Sequence, residues 1–317
     1  MQTLYVTPNA NNSTESTTDP APAIRTHRLT KSYGRARGIV DLDLEIHHGE
    51  VFGYLGPNGA GKTTTIRLLL DFLRPTSGSA EVLGLDARAN SVEIRPQVGY
   101  LPGELDLYST MTGGELLTYF GNLRGGVEPA RVEELARRLE LDLDRHIKNL
   151  SKGNKQKVGI VQAFMHEPQV LILDEPTSGL DPLVQLEFQA FVHEATARGA
   201  TVFLSSHVLS EVEEVAHRVG IVREGRLVVV EDVRSLKSKA MRSLEIRFAK
   251  PVPPDTFSGM DNVEARVDDG VAYITVQGSV DPVIKQAARF EVRDVISHEA
   301  DLEEIFLSYY REPGRAQ

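Results

Sequence analysis

Apolar residues follow two rhythms along this chain, and the rhythm changes once. Residues 50–55 (Glu-Val-Phe-Gly-Tyr-Leu), 170–173 (Val-Leu-Ile-Leu) and 201–204 (Thr-Val-Phe-Leu) are nearly continuous apolar runs. Runs of that length without alternation are typical of central strands buried on both faces. Residues 218–222 and 226–230 add two more strands. Stretches 64–73, 112–123, 129–141, 183–197 and 208–216 carry helical spacing, and 129–141 opens with Pro129, whose missing N–H is no loss in a first helical turn. Strands alternating with helices predict an α/β fold with a mainly parallel sheet covered on both faces. After about residue 239 the rhythm shifts to alternation with period two, over 243–248, 263–267 and 272–276. Asp268-Asp269-Gly270 stands between the last two runs as a hairpin turn signal. A helix over 281–288, a strand over 290–295 and a helix over 302–310 complete a small α+β unit. Residues 1–23 are rich in Asn, Ser, Thr and Pro, lack an apolar stretch, and are expected to be a disordered tail.

The first chemistry lies between the run at 50–55 and the helix that follows it. Residues 56–63 read Gly-Pro-Asn-Gly-Ala-Gly-Lys-Thr, which fits G-x-x-x-x-G-K-[ST] in the required strand–loop–helix context. Gly56, Gly59 and Gly61 permit backbone conformations that a Cβ would forbid, so that N–H groups contributed by Pro57's neighbours Asn58, Gly59, Ala60 and Gly61 can turn around an anion. The positive end of the following helix, which begins near Thr64, faces the same point. Lys62 adds an ammonium for the β- and γ-phosphates of a nucleoside triphosphate, and the Thr63 hydroxyl is placed for Mg²⁺. The second half of the site is expected at the end of the run 170–173, where Asp174 and Glu175 follow a buried strand. Asp174 is suited to Mg²⁺, directly or through water, and Glu175 to polarising the attacking water.

Between these halves stands Leu150-Ser151-Lys152-Gly153-Asn154. The chain here resembles the ATP-binding subunits of ATP-binding-cassette (ABC) transporters, whose signature is Leu-Ser-Gly-Gly-Gln. Lys152 replaces the first Gly and Asn154 the Gln, while Ser151 and Gly153 are retained. On its own Ser151 is an ordinary helix N-cap. The resemblance implies instead that Ser151, Lys152, Gly153 and Asn154 meet ATP held by a partner subunit. It also implies that Tyr33 stacks on adenine, that Ser178 and Asp181 belong to the loop running between subunits, and that His207 is the switch histidine near the γ-phosphate. The match spans about residues 24 to 232. One departure is plain: aligning Val98-Gly99-Tyr100-Leu101-Pro102 with the family's strand puts Gly103, then Glu104, where a Gln normally contacts Mg²⁺ and the lytic water. Either water replaces the amide, or Glu104 reaches in, or the link to the membrane partner is looser. For Lys152 two orientations are open, toward the partner's phosphates or outward into solvent, and the outward one is expected because lysine is seldom buried unpaired.

The resemblance implies a phosphate-loop ATPase core with a parallel sheet, an antiparallel part and a helical subdomain at about 104–165, the whole over 24–238. A small α+β accessory domain over 239–317 follows, similar to the extension of a branch that serves drug, antibiotic and polysaccharide exporters with separately encoded membrane subunits. The implied activity is ATP hydrolysis with ATP and Mg²⁺. The implied partners are a permease with several transmembrane helices and a second copy of the chain, since no internal repeat supplies a second cassette. The place of action would be peripheral, at the cytoplasmic face of the membrane. A rival reading is a non-transport ABC ATPase acting on a macromolecular complex; such proteins usually carry two cassettes, a coiled-coil insertion or a cluster-binding segment. Composition narrows the classes: a net charge of −10 and a pI near 5.5 argue against broad nucleic-acid binding, which needs a basic face. The absence of cysteine excludes disulfides and thiolate metal sites.

Overall fold

The computed structural model describes residues 21–34, 36–239 and 241–298. Residues 1–20 of the tail expected over 1–23 and the expected helix at 302–310 lie outside them. The tail's last residues do not follow the expectation: Pro22 and Ala23 are buried, and the Ala23 carbonyl accepts the Leu83 N–H at 2.7 Å, which ties them to the turn after Val82. β1 (Ile24–Tyr33) and β2 (Ala36–Ile46) form an antiparallel pair, and β3 (Val51–Leu55) leads through the glycine loop into α1 (Lys62–Leu69). β4 (Ser77–Val82) and the short β5 (Leu85–Asp86) complete a four-stranded sheet in the order β2-β1-β4-β5. After α2 (Ser91–Ile94) and β6 (Val98–Leu101), the chain enters a block of helices, α3 (Gly113–Leu123), α4 (Pro129–Arg138) and α5 (Lys152–Phe164). Thr112 and Glu115 close the start of α3 with a reciprocal capping box. β7 (Val170–Asp174), α6 (Pro182–Ala197), β8 (Thr201–Ser206), α7 (Leu209–Glu213), β9 (Arg218–Arg223), β10 (Arg226–Asp232) and α8 (Val233–Lys239) follow.

The central sheet runs β10-β9-β3-β8-β7-β6, parallel except for the hairpin β9–β10. Its strands are buried on both faces because their side chains feed two different cores in alternation. Val51 and Leu55 of β3, Leu171 and Leu173 of β7, and Val202 and Leu204 of β8 pack toward Phe164, Phe188 and Phe191 of α5 and α6. Phe52 and Tyr54, Val170 and Ile172, and Phe203 point the other way, toward Ile66 and Leu69 of α1 and the antiparallel sheet. Phe164 and Phe188 meet edge to face with centroids 6.3 Å apart. This layering leaves the C-terminal ends of β3, β7 and β8 together at one edge, where the loops that carry chemistry emerge.

A third sheet has a core of its own. β11 (Met241–Phe248), β12 (Val263–Asp268), β13 (Val271–Gln277), α9 (Asp281–Ala287) and β14 (Val292–His298) build an antiparallel sheet in the order β12-β13-β11-β14. Leu244, Ile246, Ile274 and Val276 pack against Val283 and Ala287 of α9. Asp269 and Gly270, at φ 44° and 78°, make the two-residue turn between β12 and β13, a left-handed pair matched to strand twist. Several expected elements differ in extent. The helix expected over 64–73 ends at Leu69, and the one over 208–216 is limited to Leu209–Glu213. The strand expected over 290–295 runs instead from Val292 to His298, where it pairs with β11, and α8 has no counterpart in the sequence reading.

Candidate functional site

The phosphate-loop residues bridge β3 and α1, and Gly61 takes φ 113°, a conformation closed to side-chain-bearing residues, directly before the first helical turn. A Cβ there would also press within 2.8 Å of the Ile39 side chain. Lys62, only 6% exposed, donates from Nζ to the Gly56 carbonyl at 2.6 Å and lies 3.2 Å from Glu175 Oε1. The Thr63 hydroxyl donates to Asp174 Oδ2 at 2.8 Å. Asp174, 2% exposed at the end of β7, also accepts the Ser205 hydroxyl on Oδ1, so both oxygens of this buried carboxylate have partners. Glu175 reaches His207, whose Nδ1 is 2.8 Å from Oε2. Pro57, Asn58, Gly59, Gly61, Lys62, Thr63 and Thr64 line a cleft of about 450 Å³, closed on its other side by Asp174, Glu175, Gly103 and Glu104. Glu104 is exposed on the wall of that cleft, beside Gly103. Ala60 is buried against the core with Ile66.

The remaining residues singled out from sequence lie elsewhere. Tyr33 ends β1 with its ring half exposed, and the Lys31 ammonium stands 5.5 Å from the ring centroid. Ser151 caps α5 by accepting the Asn154 N–H at 3.3 Å. Asp181 caps α6 by accepting from Val184 N at 3.1 Å. Gly153 lies so close to the following loop that a Cβ would fall 2.6 Å from the Gly179 carbonyl oxygen. None of Ser151, Lys152, Gly153, Asn154, Ser178, Asp181 and Tyr33 lines the cleft. Lys152 is exposed at the start of α5. Its ammonium donates to Ser178 Oγ at 3.2 Å, and its methylenes pass 3.7 to 3.9 Å from where a Cβ of Gly179 would stand. Those are ordinary van der Waals distances, so it is the backbone φ of 79° and not the space for the stem that calls for glycine at 179, and the Ser178 hydroxyl offers the charge a partner.

Three further residues join the site without a signal in the motifs. Ser205 holds Asp174 from the end of β8. Gln156 donates its side-chain amide to the carbonyls of Glu175 and Pro176 at 3.3 and 3.0 Å, fastening α5 to the loop that carries the acid. Tyr100 on β6 has its phenol pushed up to about 12 by burial and then by the charge of Asp174. Two hydroxyl residues ending a buried apolar strand, as Ser205 and Ser206 do, are the one local hint the sequence offered.

With this geometry in hand, comparison with known proteins is decisive. A model of the ABC transporter family matches residues 39–178. The chain is 37% identical over 229 residues to the bacitracin transport ATP-binding protein BcrA of Bacillus licheniformis, covering 71% of this chain and 75% of that protein. The chain belongs to the ABC transporter family. It is an ATP-binding subunit, an ABC ATPase whose hydrolysis of ATP is coupled to transport. Similarity to BcrA of Enterococcus faecalis is also 37%, over 225 residues and 73% of that protein. The probable multidrug ABC transporter ATP-binding protein YbhF of Escherichia coli is 35% identical over 222 residues, 38% of its length. Among solved structures, an ATP-binding subunit of an ABC transporter superposes with a TM-score of 0.62 at 30% identity, over 68% of this chain and 92% of that one.

Proposed function

We propose that two copies of this chain close around two ATP–Mg²⁺ and drive an exporter, with Glu175 orienting the attacking water and His207 holding Glu175 and the γ-phosphate in register. One observation carries the reading: Lys62, Thr63, Asp174 and Glu175 converge on a single cleft, while Ser151, Gly153 and Asn154 of the same chain do not line it. The cleft is complete only when a second copy supplies its signature. Tyr33 stacks on adenine, and the loop with Ser178 and Asp181 runs along the subunit boundary. For Mg²⁺ the donors fit: the Thr63 hydroxyl and the Asp174 carboxylate are hard oxygen ligands brought together at one point. When bound there it would neutralise charge on the β- and γ-phosphate oxygens. Lys62 adds a second positive charge, so that its ion pair with Glu175 exchanges for one with phosphate. Gly103 leaves the position of the usual Gln without a side-chain amide, and Glu104 beside it faces the cleft.

The partner is a permease with several transmembrane helices; among the described residues no helix is long and apolar enough to cross a membrane itself. The chain would then sit peripherally at the cytoplasmic face. Residues 24–238 serve as the ATPase domain, with 104–165 as its helical subdomain, and 239–317 as an accessory domain for regulation or dimer support. Among drugs, antibiotics, lipids and polysaccharides as cargo moved outward, the relatives named for bacitracin and multidrug transport favour drugs and antibiotics. The test is to co-express the chain with a permease, purify the complex in lipid, and measure ATP hydrolysis with candidate cargo. Stimulation by an amphiphilic peptide antibiotic is expected; failure of any permease to co-purify would end the exporter reading.

A further inference from the structure

A second carboxylate lies behind the Glu175–His207 pair. Glu211, on α7, accepts the Thr177 hydroxyl on Oε2 at 2.5 Å and the Ser206 hydroxyl on the same oxygen at 3.5 Å. Thr177 follows Glu175 by two residues, and Ser206 directly precedes His207. The Ser206 hydroxyl in turn accepts the Val208 N–H at 3.0 Å, so the residues on both sides of His207 are tied to one group. The contacts close a ring. It runs from Glu175 to His207, through Ser206 to Glu211, across to Thr177 and back through Pro176 to Glu175. Thr177 and Ser206 are both buried, at 8% and 1% exposure, and α7 is anchored beneath them by Leu209 and Val212 in the core. Buried hydroxyls that lose their acceptor pay the full desolvation cost, which makes this carboxylate a firm tie between two loops.

We propose that Glu211 is a positioning residue for ATP hydrolysis, clamping the loop after Glu175 to the loop before His207 and so setting the distance between the two. The inference rests on the roles given above to Glu175 and His207. Glu211 does not line the nucleotide cleft, so its contribution is to turnover and not to ATP affinity. Displacing a positioned group by a fraction of an ångström to one ångström costs one to two orders of magnitude in rate, so a factor of about ten is expected.

The full chain is assayed for kcat and KM with ATP and Mg²⁺. Glu211→Ala and Thr177→Val should each lower kcat about tenfold with KM for ATP changed by less than about twofold. Thr177→Val keeps the side-chain volume, so it tests the clamp even where Glu211→Ala folds poorly. Glu211→Gln keeps an acceptor for one hydroxyl and should recover part of the rate. In a His207→Ala background, Glu211→Ala should have little further effect, because the residue it positions has been removed. An equal loss in both backgrounds, a loss that appears in KM, or wild-type kcat in Thr177→Val would each overturn the clamp. Wild-type turnover by His207→Ala is a different failure: it would remove His207 from the site, and the clamp with it.

Discussion

Glu175 holds its place at a backbone φ of 49°, in the left-handed region that costs a residue with a side chain about 1–3 kcal/mol. Its N–H donates to the Ser205 carbonyl at 3.0 Å, and its carboxylate is gripped by Lys62 and His207, which together offset that strain. Glu175→Gln preserves shape and keeps an acceptor toward His207 while abolishing the base. Turnover should fall by about 10² or more with binding of a fluorescent ATP analogue retained. Near-wild-type phosphate release would dismiss Glu175 from the role. A second residue carries a pH signature. His166, just past α5, has its imidazole pushed down to about 4, first by burial and then by the Arg124 guanidinium, which donates to Nε2 at 2.9 Å. An unfolded histidine titrates near 6.5, so between those values the unfolded chain binds more protons than the folded one. The stability is therefore whole above about pH 6.5 and is lost as pH falls toward about 4. His166→Gln should show a smaller fall in melting temperature between about pH 7 and about pH 5 than the wild type; an unchanged difference would show that other groups govern that window.

At the scale of elements, β6 and α5 are pressed together more tightly than side chains usually allow. A Cβ on Gly99 would fall 2.2 Å from the Ala163 carbonyl oxygen, a backbone atom of α5 that has no rotamer by which to yield. The same helix presents Ser151 and Gly153 at its start and reaches the Glu175 loop through Gln156. β6 thus sets the level of the signature helix relative to the acid. Gly99→Ala should destabilise the chain by about 1–3 kcal/mol, read as an earlier midpoint in urea with unchanged slope. A midpoint equal to wild type would mean that β6 and α5 slide apart freely. α4 is bound to α6 by a separate fixture: Arg138 pairs with Glu187 and Glu194 at 3.0 and 2.8 Å and lies 4.4 Å from the Phe191 ring centroid. Those carboxylates hold the guanidinium more basic than usual and are themselves held more acidic in the case of Glu194.

For the whole molecule, the separation of the cleft from the signature within one chain makes a prediction about mixtures. Lys62→Ala disables the cleft, and Ser151→Arg blocks the signature, so each variant alone should be inactive. In a heterodimer of the two, both lesions fall in one composite site and the other site is intact. Equal mixing gives half heterodimers with one working site of two, so about a quarter of wild-type turnover is expected for a two-fold symmetric assembly. An inactive mixture, with dimers present by light scattering, would break the composite-site reading.

What the sequence determined by itself is what short segments encode. Continuous apolar runs specified strands buried on both faces, the spacing of glycines and Lys62 specified a phosphate loop between strand and helix, and Asp269-Gly270 specified a hairpin. Each of these rests on backbone preference or burial within a few residues, so the local pattern was enough, and the resemblance of ordered motifs pointed to the ABC family. Tertiary structure alone decided the contacts that join distant loops. Asp174 is held by Ser205 across 31 residues, Thr177 by Glu211 across 34, and Lys152 by Ser178 across 26. No periodicity marks such pairs, because they form only when parallel strands set side by side bring their C-terminal loops to one edge of the sheet.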